Sequence, residues 1–228
     1  MMSESLGMGL GPHQTATASL LRRLYPRCRV EATSPQGFSA LAKRVQKSYP
    51  MKVVEDPDLS KTDLIVVVDT GHALLLEDWV ERIKASKSLK IFIDHHPLSE
   101  SIEALADYVI LDEKASSTCE IVYKIFEAKG LKMAVRTAQV AMTGILCDSQ
   151  HLGIAGFRTL AVVNRLCTIG ASLEKARKVL SLRREASESI ARLKAAQRSE
   201  IYRADRWIIA TATVGSFQAS AARALIDL

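Results

Sequence analysis

Three aspartates in this chain each lie at the end of an apolar run. Asp69 follows the letters IVVV, Asp94 ends the run KIFID, and Asp112 follows YVIL. The carboxyl ends of parallel strands share one edge of a sheet, so we expect these carboxylates to lie close together. Converging negative charges are unfavourable unless a positive charge neutralises them, and a divalent cation does this well. The pattern therefore predicts a metal site.

Further metal donors occur in the same setting. His95 and His96 come directly after Asp94, and Asp148 lies in ILCDSQH at the end of a predicted helix. Mixed carboxylate and imidazole ligands suit manganese, iron or zinc better than calcium. Two such ions about 3.5 to 4 Å apart would form a site that hydrolyses phosphoryl groups.

A purely structural interpretation competes with the metal site. In about two cases in three, an aspartate at a strand end is only a helix cap or a turn former. For Asp112 the sequence favours the turn, because Glu113 and Lys114 follow it. At the other positions, VVVDT, IDHHP and CDS each come just after an apolar segment, and this combination favours the metal.

The elements that must position these residues alternate along the chain. Continuous apolar runs at 63–69, 90–94 and 108–111 are typical of parallel strands covered on both faces, with weaker strands expected at RVEA and KVV. Between them, segments 38–49 and 76–87 space apolar residues three and four apart, as amphipathic helices do. This alternation predicts the α/β class with a doubly wound, mainly parallel sheet.

The rest of the chain is predicted to be mainly helical. The segment SSTCEIVYKIFEAKG predicts a helix with a capping box from Ser117 to Glu120 and a stop at Gly130. Helices follow at 133–147, 158–168, 172–181 and about 183–204, then a β-rich run at 206–215 and a final helix at 216–228. We expect an α/β domain over 1–180, a long basic connector helix over 181–205, and the start of a smaller α/β domain over 206–228.

Composition and charge limit the classes of function. The chain has 228 residues, of which 48% are hydrophobic, so it can bury a sizeable core. Its net charge is +6, and residues 174–206 alone carry ten Lys or Arg against five acids. A basic helical face attracts phosphate-rich partners, although a helix of mixed charge is more often a solvated face. We put the nucleic-acid interpretation of this run at about one in three.

Cysteine spacing and hydropathy bear on the compartment. The four cysteines lie far apart with no CxxC spacing, so neither a zinc ribbon nor a disulfide framework is indicated. The longest apolar runs are far shorter than the roughly 20 residues that a membrane span needs, and no export signal is recognised. A reducing cytoplasm is the simplest expectation.

On these motifs the chain resembles the DHH family of phosphoesterases, from about Ser19 to its end. DLIVVVDTGH is similar to the second motif of that family, IFIDHHP to the third and GILCDSQHL to the fourth. The family includes RecJ exonucleases, oligoribonucleases, cyclic-dinucleotide phosphodiesterases and manganese pyrophosphatases. The resemblance implies a metal-dependent hydrolase, with manganese as the preferred ion and other divalent metals as substitutes.

The resemblance also implies roles for single residues. Asp69 would bridge two metals, with His95 and Asp148 as further metal ligands. His96 would contact the substrate phosphate, and Asp94 would orient the site from behind the ligands. His96 and Asp94 are thus the predicted catalytic pair.

The amino-terminal part departs from the family pattern. Family members begin with a strand that ends in His, followed by an Asp-x-Asp pair and a helix rich in small residues. Here the helix is matched by TATASLLRRLYP, but GLGPHQ precedes it and no first strand is predicted. One metal would keep Asp69, His95 and Asp148, whereas the other would keep Asp69 alone unless His13 compensates.

Two hypotheses about function follow. In the first, the chain is a metal-dependent phosphoesterase that cleaves phosphodiester bonds of short oligonucleotides, single-stranded nucleic acid or cyclic dinucleotides. In the second, it is a catalytically impaired homologue, or an incomplete gene product with a truncated C-terminal domain, that serves as a nucleic-acid-binding or assembly module. Neither hypothesis involves a membrane partner.

Overall fold

The computed structural model describes residues 12–34, 40–181 and 186–226, so the predicted segment before Pro12 lies outside the described residues. The chain forms two compact units, residues 1–181 and 182–228. The helices, in chain order, are α1 Pro12–Leu24, α2 Ala40–Ser48, α3 Trp79–Ala85, α4 Glu100–Glu103, α5 Thr118–Ala128, α6 Val135–Asp148, α7 Phe157–Ile169, α8 Leu173–Leu180, α9 Ala186–Gln197 and α10 Gln218–Ile226.

The sheet of the first unit has three parallel strands. They are β1 Leu64–Val68, β2 Leu89–Asp94 and β3 Tyr108–Leu111, in the spatial order β1-β2-β3. Val68 is opposite Ile93, and Asp94 is opposite Leu111, so the strands end at nearly the same level. The three predicted main strands and their parallel arrangement are confirmed.

Helices cover both faces of β1 and β2. On one face, Val68 and Ile93 pack against Ile121 of α5. On the other, Phe92 packs against Ile83 of α3 and Ile102 of α4. The alternation of buried side chains along β2 follows from the two-residue period of a strand. The fold is the doubly wound α/β class that the sequence predicts.

The largest hydrophobic core lies among α1, α5, α6, α7 and α8. It includes Ala16 of α1, Cys119 of α5 and Ile145 of α6, all fully buried. A Cβ atom added to Gly144 of α6 would collide with the Cys119 thiol and lie 3.0 Å from Pro12 Cβ. Glycine at this position therefore lets the first turn of α1 come close to α5 and α6.

Two local predictions for the first unit are wrong. RVEA and KVV form no strands, only a single parallel bridge between Ala32 and Val53, because neither short run gains a second pairing. The capping box is also not formed, since Ser117 caps α5 through the N–H of Cys119. Glu120 is instead fully buried and accepts hydrogen bonds from Ser116 N–H and the Thr159 hydroxyl.

The second unit contains α9, a hairpin and α10. The predicted long helix ends at Gln197, and Glu200–Ala204 forms β4 instead, pairing antiparallel with β5 Trp207–Thr211. Ile201 and Tyr202 have strand propensity, and the positive φ of Asp205 makes the tight turn. The predicted β-rich run is thus confirmed as β5, and the closing helix as α10. Within the described part of the chain, no helix is long and apolar enough to cross a membrane.

Candidate functional site

The first residue after β1, Asp69, lies at the centre of the site. Its N–H donates to the carbonyl of Ile93, 3.1 Å away, and its φ is 60°, in the left-handed region. Non-glycine residues rarely adopt this conformation, although aspartate tolerates it better than most. Thr118, at the start of α5, donates its hydroxyl to Asp69 Oδ1 at 3.0 Å. These two bonds hold the carboxylate at the edge of the sheet.

Asp94, the last residue of β2, orients the two histidines that follow it. Its carboxylate is buried, and Oδ1 accepts hydrogen bonds from the N–H groups of His95 at 2.6 Å and His96 at 2.8 Å. The same oxygen lies 2.9 Å from His96 Nδ1, and this hydrogen bond raises the pKa of His96. The His96 side chain is 55% exposed, so its ring faces solvent while Asp94 stays behind it.

His95 points the other way, into the site. Its Nδ1 lies 3.3 Å from the carbonyl of Ala115, and because a carbonyl can only accept, Nδ1 is the donor. In the neutral ring Nε2 then carries the lone pair. This Nε2 is buried, 3.5 Å from Asp69 Oδ1 and 3.9 Å from Asp148 Oδ2, and has no hydrogen bond to the described residues. Such an atom suits a metal ligand.

His13 approaches from the first turn of α1. It is buried, and its Nε2 lies 3.1 Å from Asp148 Oδ2 and 3.6 Å from Asp69 Oδ2. Burial alone would lower the pKa of His13, but the carboxylates of Asp148 and Asp69 outweigh it and raise the pKa well above its usual value. Burial would raise the pKa of Asp69, but the imidazoles of His13 and His95 outweigh it and lower that pKa strongly. The cluster thus strongly attracts positive charge.

The Asp69 carboxylate lies between two groups of candidate ligands. Oδ1 faces His95 and His96, whereas Oδ2 faces His13. The donor atoms of Asp69, Asp94, His95 and His96 lie within 4.8 Å of one another, as do those of His13, Asp69 and Asp148. Imidazole nitrogen and carboxylate oxygen suit divalent manganese, iron or zinc. The donor set of this chain therefore fits a divalent metal.

The structure brings together all six residues predicted for the site: Asp69, Asp94, His95, His96, Asp148 and His13. Asp148 is the last residue of α6, as predicted. Asp112 stays outside the site, because its carboxylate accepts from Lys114 N–H and pairs with Lys124. The turn interpretation of Asp112 is therefore confirmed, whereas the roles of the six site residues remain predictions.

Sequence reasoning missed Thr118 and Cys119 as neighbours of the site. Both lie in ASSTCE, a stretch with no carboxylate or histidine near the metal motifs. The buried Cys119 thiol is next to His13, and burial raises the pKa of that thiol despite the opposing charge of His13. The small polar residues after β3 were the available signal, but only the close packing of α1 on α5 gives them this position.

Comparison with known proteins supports the family assignment. The model of the DHH family, N-terminal domain, matches residues 14–145. An uncharacterised protein of Methanocaldococcus jannaschii is 29% identical over 172 residues, which are 75% of this chain and 50% of that protein. The cyclic-di-AMP phosphodiesterase GdpP of Geobacillus thermodenitrificans is 27% identical over 146 residues, 63% of this chain and 22% of that protein.

A solved structure shows the same fold. An exopolyphosphatase-related protein from Bacteroides fragilis matches with a TM-score of 0.69 and 16% identity, over 83% of this chain and 58% of that one. The chain spans about half the length, or less, of the curated relatives that it matches. Because the family model covers more than half of the chain, including the strands that carry Asp69 and the DHH triplet, the chain belongs to the DHH family.

Proposed function

We propose that this chain is a divalent-metal-dependent phosphoesterase that cleaves phosphodiester bonds in short oligonucleotides, single-stranded nucleic acid or cyclic dinucleotides. The observation that carries the proposal is the position of the Asp69 carboxylate, which has one oxygen facing His95 and the other facing His13. A carboxylate between two sets of donors is suited to bridge two cations. Two cations on either side of a phosphoryl group are a recurrent arrangement for its hydrolysis.

In this proposal, Asp69, His95 and Asp148 hold one metal ion. His13 takes the place of the missing Asp-x-Asp pair, and with Asp69 and Asp148 it holds ions on the α1 side. Manganese is the preferred ion, because the donors are mixed imidazole and carboxylate. A bound divalent ion would act as a Lewis acid toward the phosphoryl oxygens.

The remaining residues of the site position and bind the substrate. Asp94 accepts three hydrogen bonds from the His95–His96 segment, which fixes the direction of both rings. His96 Nδ1 is taken up by Asp94, so Nε2 of this exposed ring remains to donate to a non-bridging phosphoryl oxygen. His96 is thus the proposed substrate ligand, and Asp94 is its positioning residue.

The substrate class is supported by charge and by one relative. The chain carries a net charge of +6, which favours a polyanionic substrate over a neutral one. The relative from Geobacillus is named a phosphodiesterase of a cyclic dinucleotide. We further propose a cytoplasmic location, which suits the four free cysteines.

One observation favours the second function, a non-catalytic binding or assembly module. At the start of α1, where the family pattern has its acidic pair, this chain has His13, Gln14 and Thr15. An imidazole brings no negative charge, so it offsets less of the charge of a second cation than a carboxylate does. A chain that binds one ion and holds nucleic acid without cutting it would fit this arrangement.

Hydrolysis of bis(p-nitrophenyl) phosphate with added manganese tests the proposal. We expect turnover that chelation abolishes and manganese restores. Asp148→Asn should remove both turnover and manganese binding measured by calorimetry, whereas the matched variant Asp112→Asn should retain both. Manganese binding without turnover would support the non-catalytic function, and the absence of specific manganese binding would refute the metal site.

A further inference from the structure

Strand β3 differs from the other two strands of the sheet because both of its faces are open. Its four side chains are all exposed, at 62% for Tyr108, 42% for Val109, 39% for Ile110 and 39% for Leu111. The register with β2 puts Tyr108 and Ile110 on the α5 face, and Val109 and Leu111 on the α3 and α4 face. An apolar segment of this kind is normally buried on both sides.

The outer edge of β3 also carries no protective feature. Among the described residues, β3 pairs with β2 alone, so one row of its backbone N–H and C=O groups faces outward. Edge strands usually block further pairing with a lysine, a proline or a bulge. Tyr108–Leu111 contains none of these, and the flanking Asp107 and Asp112 lie near Lys90 and Lys124 of the same chain.

The sequence of β3 is complementary to itself in the antiparallel direction. A two-fold axis between Val109 and Ile110 would put these two residues opposite each other in two copies, and Tyr108 opposite Leu111. Every cross-strand pair would then be apolar, and such pairs stabilise sheets. A closed dimer with a two-fold axis also uses up the free edge, so no further copy can add.

Charges at the two ends of β3 match the same arrangement. Arg158 lies at the carboxyl end, with Nη1 3.8 Å from Asp112 Oδ1 and its side chain 58% exposed. Asp107 lies at the amino end and is 46% exposed. Antiparallel pairing would bring Arg158 of one copy near Asp107 of the other. Opposite charges at opposite ends favour a second copy over an unrelated strand.

The start of α7 supplies additional apolar surface beside β3. Phe157 is 86% exposed and Leu160 is 48% exposed, and Arg158, between them in sequence, joins this turn to the end of β3. A specific interface needs to bury about 1,000 Å² or more in total. Four strand residues alone fall at the low end of that range, and the α7 residues extend the surface.

From these observations we propose that β3 is the dimerisation edge of the chain. Two copies pair their β3 strands antiparallel and form one continuous six-stranded sheet, with the first turn of α7 from each copy flanking the seam. This inference is independent of the phosphoesterase proposal, because none of the residues of the metal site takes part.

Sedimentation equilibrium of the full chain, at micromolar concentration, tests the proposal. We expect twice the chain mass of 25.0 kDa. Val109→Lys and Phe157→Asp should each reduce the mass to that of one chain, with an unchanged circular dichroism spectrum. The control is Leu74→Lys, because Leu74 is more exposed, at 79%, and lies in the segment after β1. It should leave the dimer intact.

Disulfide trapping tests the register without disturbing the strand. In a background with the exposed Cys28 and Cys167 changed to serine, Val109→Cys with Ile110→Cys should give a covalent dimer under mild oxidation. Val109→Cys alone should not, since the two copies of that side chain point to opposite faces. A monomeric wild type would overturn the proposal. A dimer that survives Val109→Lys, as one formed through the exposed hairpin of the second unit would, overturns it too.

Discussion

The two sides of the Asp69 carboxylate are built in different ways. On the Oδ1 side, one turn after β2 supplies both His95 and His96, and Asp94 orients them through short hydrogen bonds. On the Oδ2 side, His13 comes from the far end of the chain, and its position depends on how closely α1 packs on α5 and α6. The first side is organised by local sequence, and the second by tertiary packing.

This difference predicts how each side responds to mutation. A locally organised ligand keeps its geometry if distant packing changes, because its hydrogen bonds come from neighbouring residues. A ligand held by packing moves whenever the interface moves, since packed helices transmit small displacements. The predictions below separate the two sides, in order of decreasing expected effect.

Replacement of the shared carboxylate should affect both sides at once. Asp69→Asn removes the charge that faces both His95 and His13, so we expect manganese affinity to fall more than the roughly 10- to 100-fold caused by loss of a ligand-orienting partner. Calorimetric titration measures this. His95→Ala and His13→Ala should each have a smaller effect than Asp69→Asn. If His13→Ala had no effect at all, the Oδ2 side would not be part of the metal site.

A methyl group at Gly144 should disturb the packing-dependent side selectively. The added Cβ collides with the Cys119 thiol and crowds Pro12, one residue before His13. Overpacking costs about 1 to 3 kcal/mol, of which the helix propensity of alanine offsets about 1 kcal/mol. We therefore expect Gly144→Ala to lower the free energy of unfolding in urea and to weaken manganese binding.

The controls for Gly144→Ala test the cause. Gly156→Ala adds a methyl group where no atom lies within 4 Å, so it should change neither stability nor binding. Cys119→Ala combined with Gly144→Ala removes the colliding sulfur and should recover part of both losses. Recovery of neither would show that α1 packing does not control the position of His13.

The same contrast explains what the sequence could predict. Asp69, Asp94, His95, His96 and Asp148 each lie in a short motif at the end of a strand or helix, and the structure brings them together. Their convergence follows from the parallel sheet, whose strands share one edge. His13 was only a candidate, because nothing in GLGPHQ specifies that α1 packs against Asp148, far along the chain.

The errors have the same origin. Glu120 matched a capping box, but Lys124 and Thr159 satisfy its carboxylate in the interior, so burial is preferred. Residues 200–204 carry charges that continued the helical pattern, yet their pairing with β5 makes them a strand. In both cases a tertiary partner overrode the local preference, as it often does for marginal propensities.

The smallest predicted effect concerns Thr118, which supports the carboxylate from α5. Thr118→Val keeps the shape of this fully buried side chain but removes the hydroxyl that donates to Asp69 Oδ1. A hydrogen bond of this kind contributes about 1 kcal/mol, so manganese affinity should fall about fivefold. Thr168→Val, which removes an exposed hydroxyl bonded to the carbonyl of Asn164, should leave the affinity unchanged. Because the lost bond is on the Oδ1 side, His95→Ala in the same chain should reduce the effect of Thr118→Val, whereas His13→Ala should not. Equal coupling to both histidines would mean that Asp69 responds as a single unit and that its two sides are not independent.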